Sequence, residues 1–186
     1  MADTIVLVRH GETEWSLSGQ HTSRTDLPLL EEGQKRAKVV GGELAGRSFA
    51  LVVSSPYRRA RETAELAGFA EPEIWDDLHE WAYGEYEGLT TPEIREQNPE
   101  WNLWTDGCPG GESPAQIAAR ADGVLARLRE ADGDALVFAH GHILRVTAAR
   151  WMEMDVTAGA RLALSAGAVS ELGYERETQV IRRWNA

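Results

Sequence analysis

Two histidines and several arginines stand where apolar runs of the chain give out. Thr4–Val8 runs into Arg9-His10-Gly11, and Phe49–Val53 runs into Ser54-Ser55-Pro56-Tyr57-Arg58-Arg59. Ala135–Ala139 runs into His140-Gly141-His142. A neutral imidazole nitrogen is a competent nucleophile near neutral pH, and guanidinium forks match the oxygens of a phosphate. In open α/β sheets, ligands bind at the carboxyl ends of the strands, so these groups could converge from distant parts of the chain. The combination points to phosphoryl transfer.

The elements that must bring them together are readable from periodicity. The strand runs are Thr4–Val8, Phe49–Val53, Ala135–Ala139, Ala166–Leu172 and Thr178–Trp184. Helical patterns lie between them. Leu30–Leu44 places Ala37, Val40 and Leu44 on one face, weakened by Gly41 and Gly42. Ser55-Pro56 reads as a cap with proline at the first helical position, opening a helix to about Leu66, and Thr91-Pro92 repeats the device before Glu93–Gln97. Ser113 with Gln116 forms a capping box ahead of the stripe Ile117, Val124, Leu125 and Leu128. A last helix covers about His142–Trp151. Alternating strands and helices predict an α/β, three-layer sandwich with a mostly parallel sheet, ending in an antiparallel pair. One domain over 1–186 is expected, with a lid-like insertion at about 76–112, rich in Trp, Tyr, Gly and acids.

Composition excludes several classes. Thirty acids against 19 Lys and Arg give a formal charge of −11, which repels nucleic acid and an anionic bilayer. No apolar stretch approaches the roughly 20 residues of a membrane span, and Met1 to Arg9 lack a signal peptide's basic start and cleavage site. A cytoplasmic protein is expected. The lone Cys108 can form neither an internal disulfide nor a thiolate zinc cluster.

Four segments resemble, in order, the motifs of the histidine phosphatase superfamily, which includes cofactor-dependent phosphoglycerate mutases. They are Leu7-Val8-Arg9-His10-Gly11-Glu12-Thr13, Ser55-Pro56-Tyr57-Arg58-Arg59-Ala60-Arg61-Glu62-Thr63-Ala64, Leu78-His79-Glu80-Trp81-Ala82-Tyr83-Gly84-Glu85-Tyr86-Glu87-Gly88, and Ala139-His140-Gly141-His142. The resemblance implies a phosphoglycerate mutase-like fold and a phosphatase acting on small phosphomonoesters. His10 would become the phosphohistidine, while Arg9, Arg59 and His140 neutralise the phosphoryl oxygens. Glu80 would protonate the leaving oxygen and later deprotonate water. Ser16, Gln20, His21, Thr22, Tyr83 and Gly141 complete the implied substrate-binding set. No metal and no organic cofactor is implied. The partner would be a small phosphorylated metabolite, with a homodimer kept open. Ser16 stands where many members carry Asn, and Leu30 stands where a Thr usually caps the first helix.

Rival readings fail on spacing. A cysteine phosphatase needs Arg six positions after its Cys, and that position is Pro114; Asp132-Gly133-Asp134 precedes a strand rather than following one. No Walker-type loop is present. A His10, His140 and Glu80 metal site would face repulsion from Arg9 and Arg59. The alternatives kept are a mutase using the same centre and a non-catalytic phosphate-binding module. Against a mutase, residues 62–119 contain Arg95 as their single Lys or Arg, beside fourteen acids. Trp101, Trp104 and Pro109 suggest instead a wall around an apolar or sugar-like leaving group. Trp81, Trp101 and Trp104 are divided between core and pocket wall, whereas Trp15, Trp151 and Trp184 read as packing. His142 reads as a helix-start residue, and Arg58 and Arg61 as surface partners of nearby acids.

Overall fold

The strands are β1 (Ile5–Arg9), β2 (Leu51–Ser54), β3 (Glu73–Ile74), β4 (Ala135–Ala139), β5 (Val169–Glu175) and β6 (Thr178–Arg183). In the computed structural model, which describes residues 3–186, they form one sheet in the order β3-β2-β4-β1-β5-β6. Met1 and Ala2, part of the N-terminal reading, lie outside the described residues. The first four strands of that order are parallel, and β5 and β6 close the other edge antiparallel.

Alternation along the central strands explains the layering. Ile5 and Leu7 of β1, with Ala135 and Val137 of β4, face α6 (Pro114–Arg129) and α7 (Gly141–Trp151). Val6, Val8, Leu136 and Phe138 face the opposite way, against α2 (Glu31–Glu43) and α3 (Arg58–Leu66). Both faces are covered, so the strands read as unbroken apolar runs. Each fully buried Val, Leu, Ile or Phe contributes about 1.5–3 kcal/mol. This is the α/β sandwich expected from the sequence.

The register fixes what stands at the carboxyl edge. Arg9 pairs with Ala139 and Ser54 with Phe138, so the residues following β1, β4 and β2 emerge side by side.

Element ends depart from the sequence reading for identifiable reasons. Strand β5 begins at Val169 rather than Ala166, because Gly167 turns the chain at φ 67°. Strand β3 has two exposed residues and no apolar signature, so periodicity misses it. Helix α3 starts at Arg58, not at Pro56, because the Ser55 hydroxyl is engaged elsewhere and Tyr57 occupies the cap without a side-chain bond. Thr90, not Thr91, caps α4 (Thr91–Gln97) through a capping box with Glu93. A short α1 (Glu14–Ser18), capped by Thr13 and Ser16, had no apolar stripe to announce it.

The segment from 75 to 112 contains α4 and α5 (Leu103–Asp106) with two single 3₁₀ turns. Its Trp75, Trp81, Tyr83, Ile94, Trp101, Leu103, Trp104 and Cys108 are buried in the same core as α6 and α7. Burial pushes the Cys108 thiol up to about 12.

Candidate active site

The end of β1 places His10 under tight backbone control. Its N–H donates to the Ala139 carbonyl at 3.0 Å, which ties it to the end of β4. Gly11 packs backbone to backbone on Gly33, since a Cβ at Gly11 would stand 2.4 Å from the Gly33 carbonyl oxygen. The His10 Nδ1 lies 2.7 Å from the Gly11 carbonyl oxygen, an atom that only accepts. Nδ1 therefore carries the proton and Nε2 keeps its lone pair. Burial, then the charges of Arg59 and Arg9, hold the ring well below its usual pKa, so it is neutral.

Behind His10 stands a second layer. Arg59 Nε donates to His140 Nδ1 at 3.1 Å, so the His140 proton sits on Nε2 and is donated to Ser55 Oγ at 2.6 Å. The two imidazole centroids are 5.1 Å apart. The remaining Arg59 donors hold the carbonyls of Thr22, Ser23 and Thr25 at 3.3, 3.0 and 3.0 Å. Arg59 and His140 are fully buried. The structure thus places both behind His10, where their nitrogens are already engaged, rather than on the cavity wall. Burial and the Arg59 charge keep His140 neutral as well.

Arg9 lies on the wall itself. Its Nη1 donates to the Leu164 carbonyl at 2.5 Å, while Nε is buried with no hydrogen-bond partner among the described residues. An unpaired buried guanidinium N–H is costly and marks a place for an acceptor. A Cβ built on Gly141 would stand 3.4 Å from that Nε and 3.7 Å from Glu80 Oε2. The two charged groups thus border the same small space.

Glu80 is fixed by main-chain donors. It accepts from the N–H groups of Trp81, His142 and Ile143, each at 2.9 Å, the last two from the first turn of α7. Burial would raise its pKa, but bonding to His142 and the favourable helix start outweigh that and hold it well below the carboxylate range. Its segment is clamped from outside. Arg120 donates to the carbonyls of Asp77 and His79 at 2.8 and 2.7 Å and forks onto Glu112. Glu112 in turn accepts the Ala82 N–H at 2.8 Å.

These groups surround a cavity of about 170 Å³. Arg9, His10, Ser16, Gln20, His21, Thr22, Glu80, Tyr83 and Gly141 line it. The Ser16 hydroxyl, however, is engaged with the Thr13 backbone at 2.8 and 3.0 Å. Gly19 and four side chains on the lining were not anticipated. Trp15 is half-buried on the wall rather than core packing, and Leu164 borders the Arg9 side. His142, read as a helix-start residue, also faces the cavity, its Nδ1 2.7 Å from the Tyr83 hydroxyl. Arg145, one turn into α7 from Gly141, is the fourth. It lies outside the cation-poor stretch 62–119, and its spacing of four from a cavity glycine is the signal the sequence offers.

The tryptophans resolve differently from the expected wall. Trp81, Trp101 and Trp104 are buried and do not line the cavity. Trp101 packs against the ring of His21 at 5.7 Å, and Trp104 against His142 at 5.5 Å. They buttress the lining from behind. Pro109 is exposed and away from the cavity. Burial, then His142, lowers the His21 pKa to about 4, and burial with Glu80 keeps the Tyr83 phenol well above its ordinary value. Arg58 pairs with Glu62 on the surface, as expected. Among the described residues no three His, Cys, Asp or Glu converge as a metal site, and no helix is long and apolar enough to cross a membrane.

A family profile described as "Histidine phosphatase superfamily (branch 1)" matches residues 5–186. An acid phosphatase of Mycobacterium tuberculosis is 43% identical over 176 residues, spanning 92% of this chain and 86% of that protein. A sedoheptulose 1,7-bisphosphatase of Saccharomyces cerevisiae is 37% identical over 184 residues, spanning 81% of this chain and 68% of that protein. Among solved structures, an open reading frame of M. tuberculosis superimposes with a TM-score of 0.95 at 39% identity, covering 100% of this chain and 98% of that one.

Proposed function

The chain belongs to the histidine phosphatase superfamily and is a phosphatase, and we propose that it hydrolyses small phosphomonoesters through a phosphohistidine on His10. The observation that carries this reading is the pairing of a bare His10 Nε2 with the orphaned Arg9 Nε on one cavity wall. One offers an electron pair to phosphorus, and the other offers a proton to a phosphoryl oxygen.

The steps follow from the atoms. The Nε2 lone pair attacks phosphorus and the P–O ester bond breaks, with the leaving oxygen taking a proton from Glu80. Water then yields a proton to the Glu80 carboxylate as its oxygen attacks phosphorus, and the P–N bond returns its pair to Nε2. Arg59 acts from behind, adding positive potential while it keeps both imidazoles neutral. Because Glu80 is held ionised, the first proton arrives with the substrate, whose second phosphate pKa is about 6. We therefore expect kcat/KM to fall as pH rises through about 6, measured on an aryl phosphate across pH 4.5 to 8.

The guanidiniums supply charge that a divalent metal would otherwise bring, so the reading has no resident metal. Chelator should leave the rate unchanged, and vanadate should inhibit. The acidic chain acts on small phosphorylated metabolites in the cytoplasm, not on nucleic acid. His10→Ala should lower turnover by about 10³-fold or more with the fold intact. Substantial activity in that folded variant, or failure to trap an acid-labile phosphoenzyme in the wild type, would overturn the assignment.

A further inference from the structure

We infer that the substrate carries a second anionic group on its leaving fragment, and that Arg145 receives it. The inference rests on the phosphomonoesterase reading and names the substrate class of the same cavity.

Arg145 shares a face of α7 with Gly141, four residues earlier, and both line the cavity that holds His10 and Glu80. Its guanidinium is held in place without being neutralised. Nε donates to the Gly159 carbonyl at 2.9 Å and Nη2 to the Ala160 carbonyl at 3.2 Å. The group lies 4.6 Å from the centroid of the Trp104 ring. All three partners are neutral, and Nη1 has no hydrogen bond among the described residues. Three other partly buried arginines, Arg36, Arg47 and Arg120, each pair with a glutamate at 2.7 or 2.8 Å, whereas Arg129, over the Trp151 ring and remote from the cavity, pairs with none among the described residues. Arg145 pairs with no carboxylate among the described residues.

Charge balance makes the same point. Arg9, Arg59 and Arg145 bring three positive charges, and Glu80 is neutral at the moment it holds the proton it will donate. A phosphoryl dianion answers two of them. The third calls for one more negative charge on the substrate. Because Arg145 lines the same cavity as His10 and Glu80, that charge belongs to the part of the substrate seated in this cavity. A carboxylate and a second phosphate both satisfy this chemistry. The apolar or sugar-like leaving group suggested by Trp101, Trp104 and Pro109 loses its support, because none of them lines the cavity.

The test compares substrates that differ only in the distal group, using the full chain. One arm pairs 3-phosphoglycerate with glycerol 3-phosphate; the other pairs propane-1,3-diol bisphosphate with its monophosphate. The wild type should favour the anionic member of at least one pair by about tenfold or more in kcat/KM, and added salt should shrink that ratio. Arg145→Ala and Arg145→Gln should bring the ratio to about one, whatever happens to the absolute rates. A wild-type ratio near one in both arms overturns the inference, and so does a ratio that survives in either folded variant. If the wild type releases phosphate from no member and none from p-nitrophenyl phosphate, the phosphatase reading itself has failed. Release from the neutral members at a ratio of one leaves that reading standing and removes only the role of Arg145.

Discussion

His10 and Glu80 border one cavity, yet they are held by unlike means. His10 follows a central strand and is fixed by main-chain bonds to its parallel neighbour and by two abutting glycines. Glu80 sits in a segment without strand pairing, and its approach depends on a side-chain clamp from Arg120 and Glu112 and on the start of α7. The position of His10 is a property of the sheet. The position of Glu80 depends on a few charged contacts, so substitutions at a distance should move the second without touching the first.

Experiments can break this contrast. Glu80→Gln should cost about 10²–10⁴-fold in kcat with an alkyl phosphate and far less with p-nitrophenyl phosphate, whose leaving group needs no proton. Equal losses on both substrates would show that Glu80 does more than move protons. Arg120→Ala should give a smaller version of the same leaving-group dependence, about tenfold. Breaking so buried a pair should also cost about 3 kcal/mol of stability, read as a lower denaturant midpoint. A uniform loss on both substrates would place the clamp's effect on the whole fold. Ser55→Ala should be milder still, leaving the His140 Nε2–H unpaired at about 1–3 kcal/mol and slowing both substrates alike, as befits the layer behind His10.

The rigid half of the site was the legible half. Apolar runs ending in Arg9-His10 and His140-Gly141 announce a parallel sheet and its reactive edge, because a strand buried on both faces has no other composition. Ser55 was legible only as punctuation: a serine before proline reads the same whether its hydroxyl caps a helix or accepts from a histidine. Arg145 escaped because helical periodicity assigns a cation to solvent, whereas Trp104 and two carbonyls turn this one toward the cavity. The insertion's tryptophans show which residues are large and apolar, but which side they bury is decided by packing on His21 and His142.

Stability and activity should respond to acid in opposite directions. His10 and His140 are buried and His21 is half-buried, all with depressed pKa values, His21 at about 4, against about 6.5 in the unfolded chain. Below pH 6.5 the unfolded state therefore binds more protons, and stability falls as pH drops towards 4. The thermal midpoint should decline between pH 7 and 4.5 while kcat/KM of the folded enzyme rises. A flat midpoint over that range would show that the three rings do not stay neutral.

The solitary thiol has a consequence for the conditions this catalyst withstands. Cys108 is buried among the tryptophans of the insertion and stays protonated because burial pushes its pKa up to about 12. Oxidants and alkylating agents attack thiolates, and the reacting atom proposed for the centre is the nitrogen of His10. Peroxide or iodoacetamide at levels that silence enzymes working through a reactive thiolate would find no thiolate here, so turnover should continue through oxidative stress.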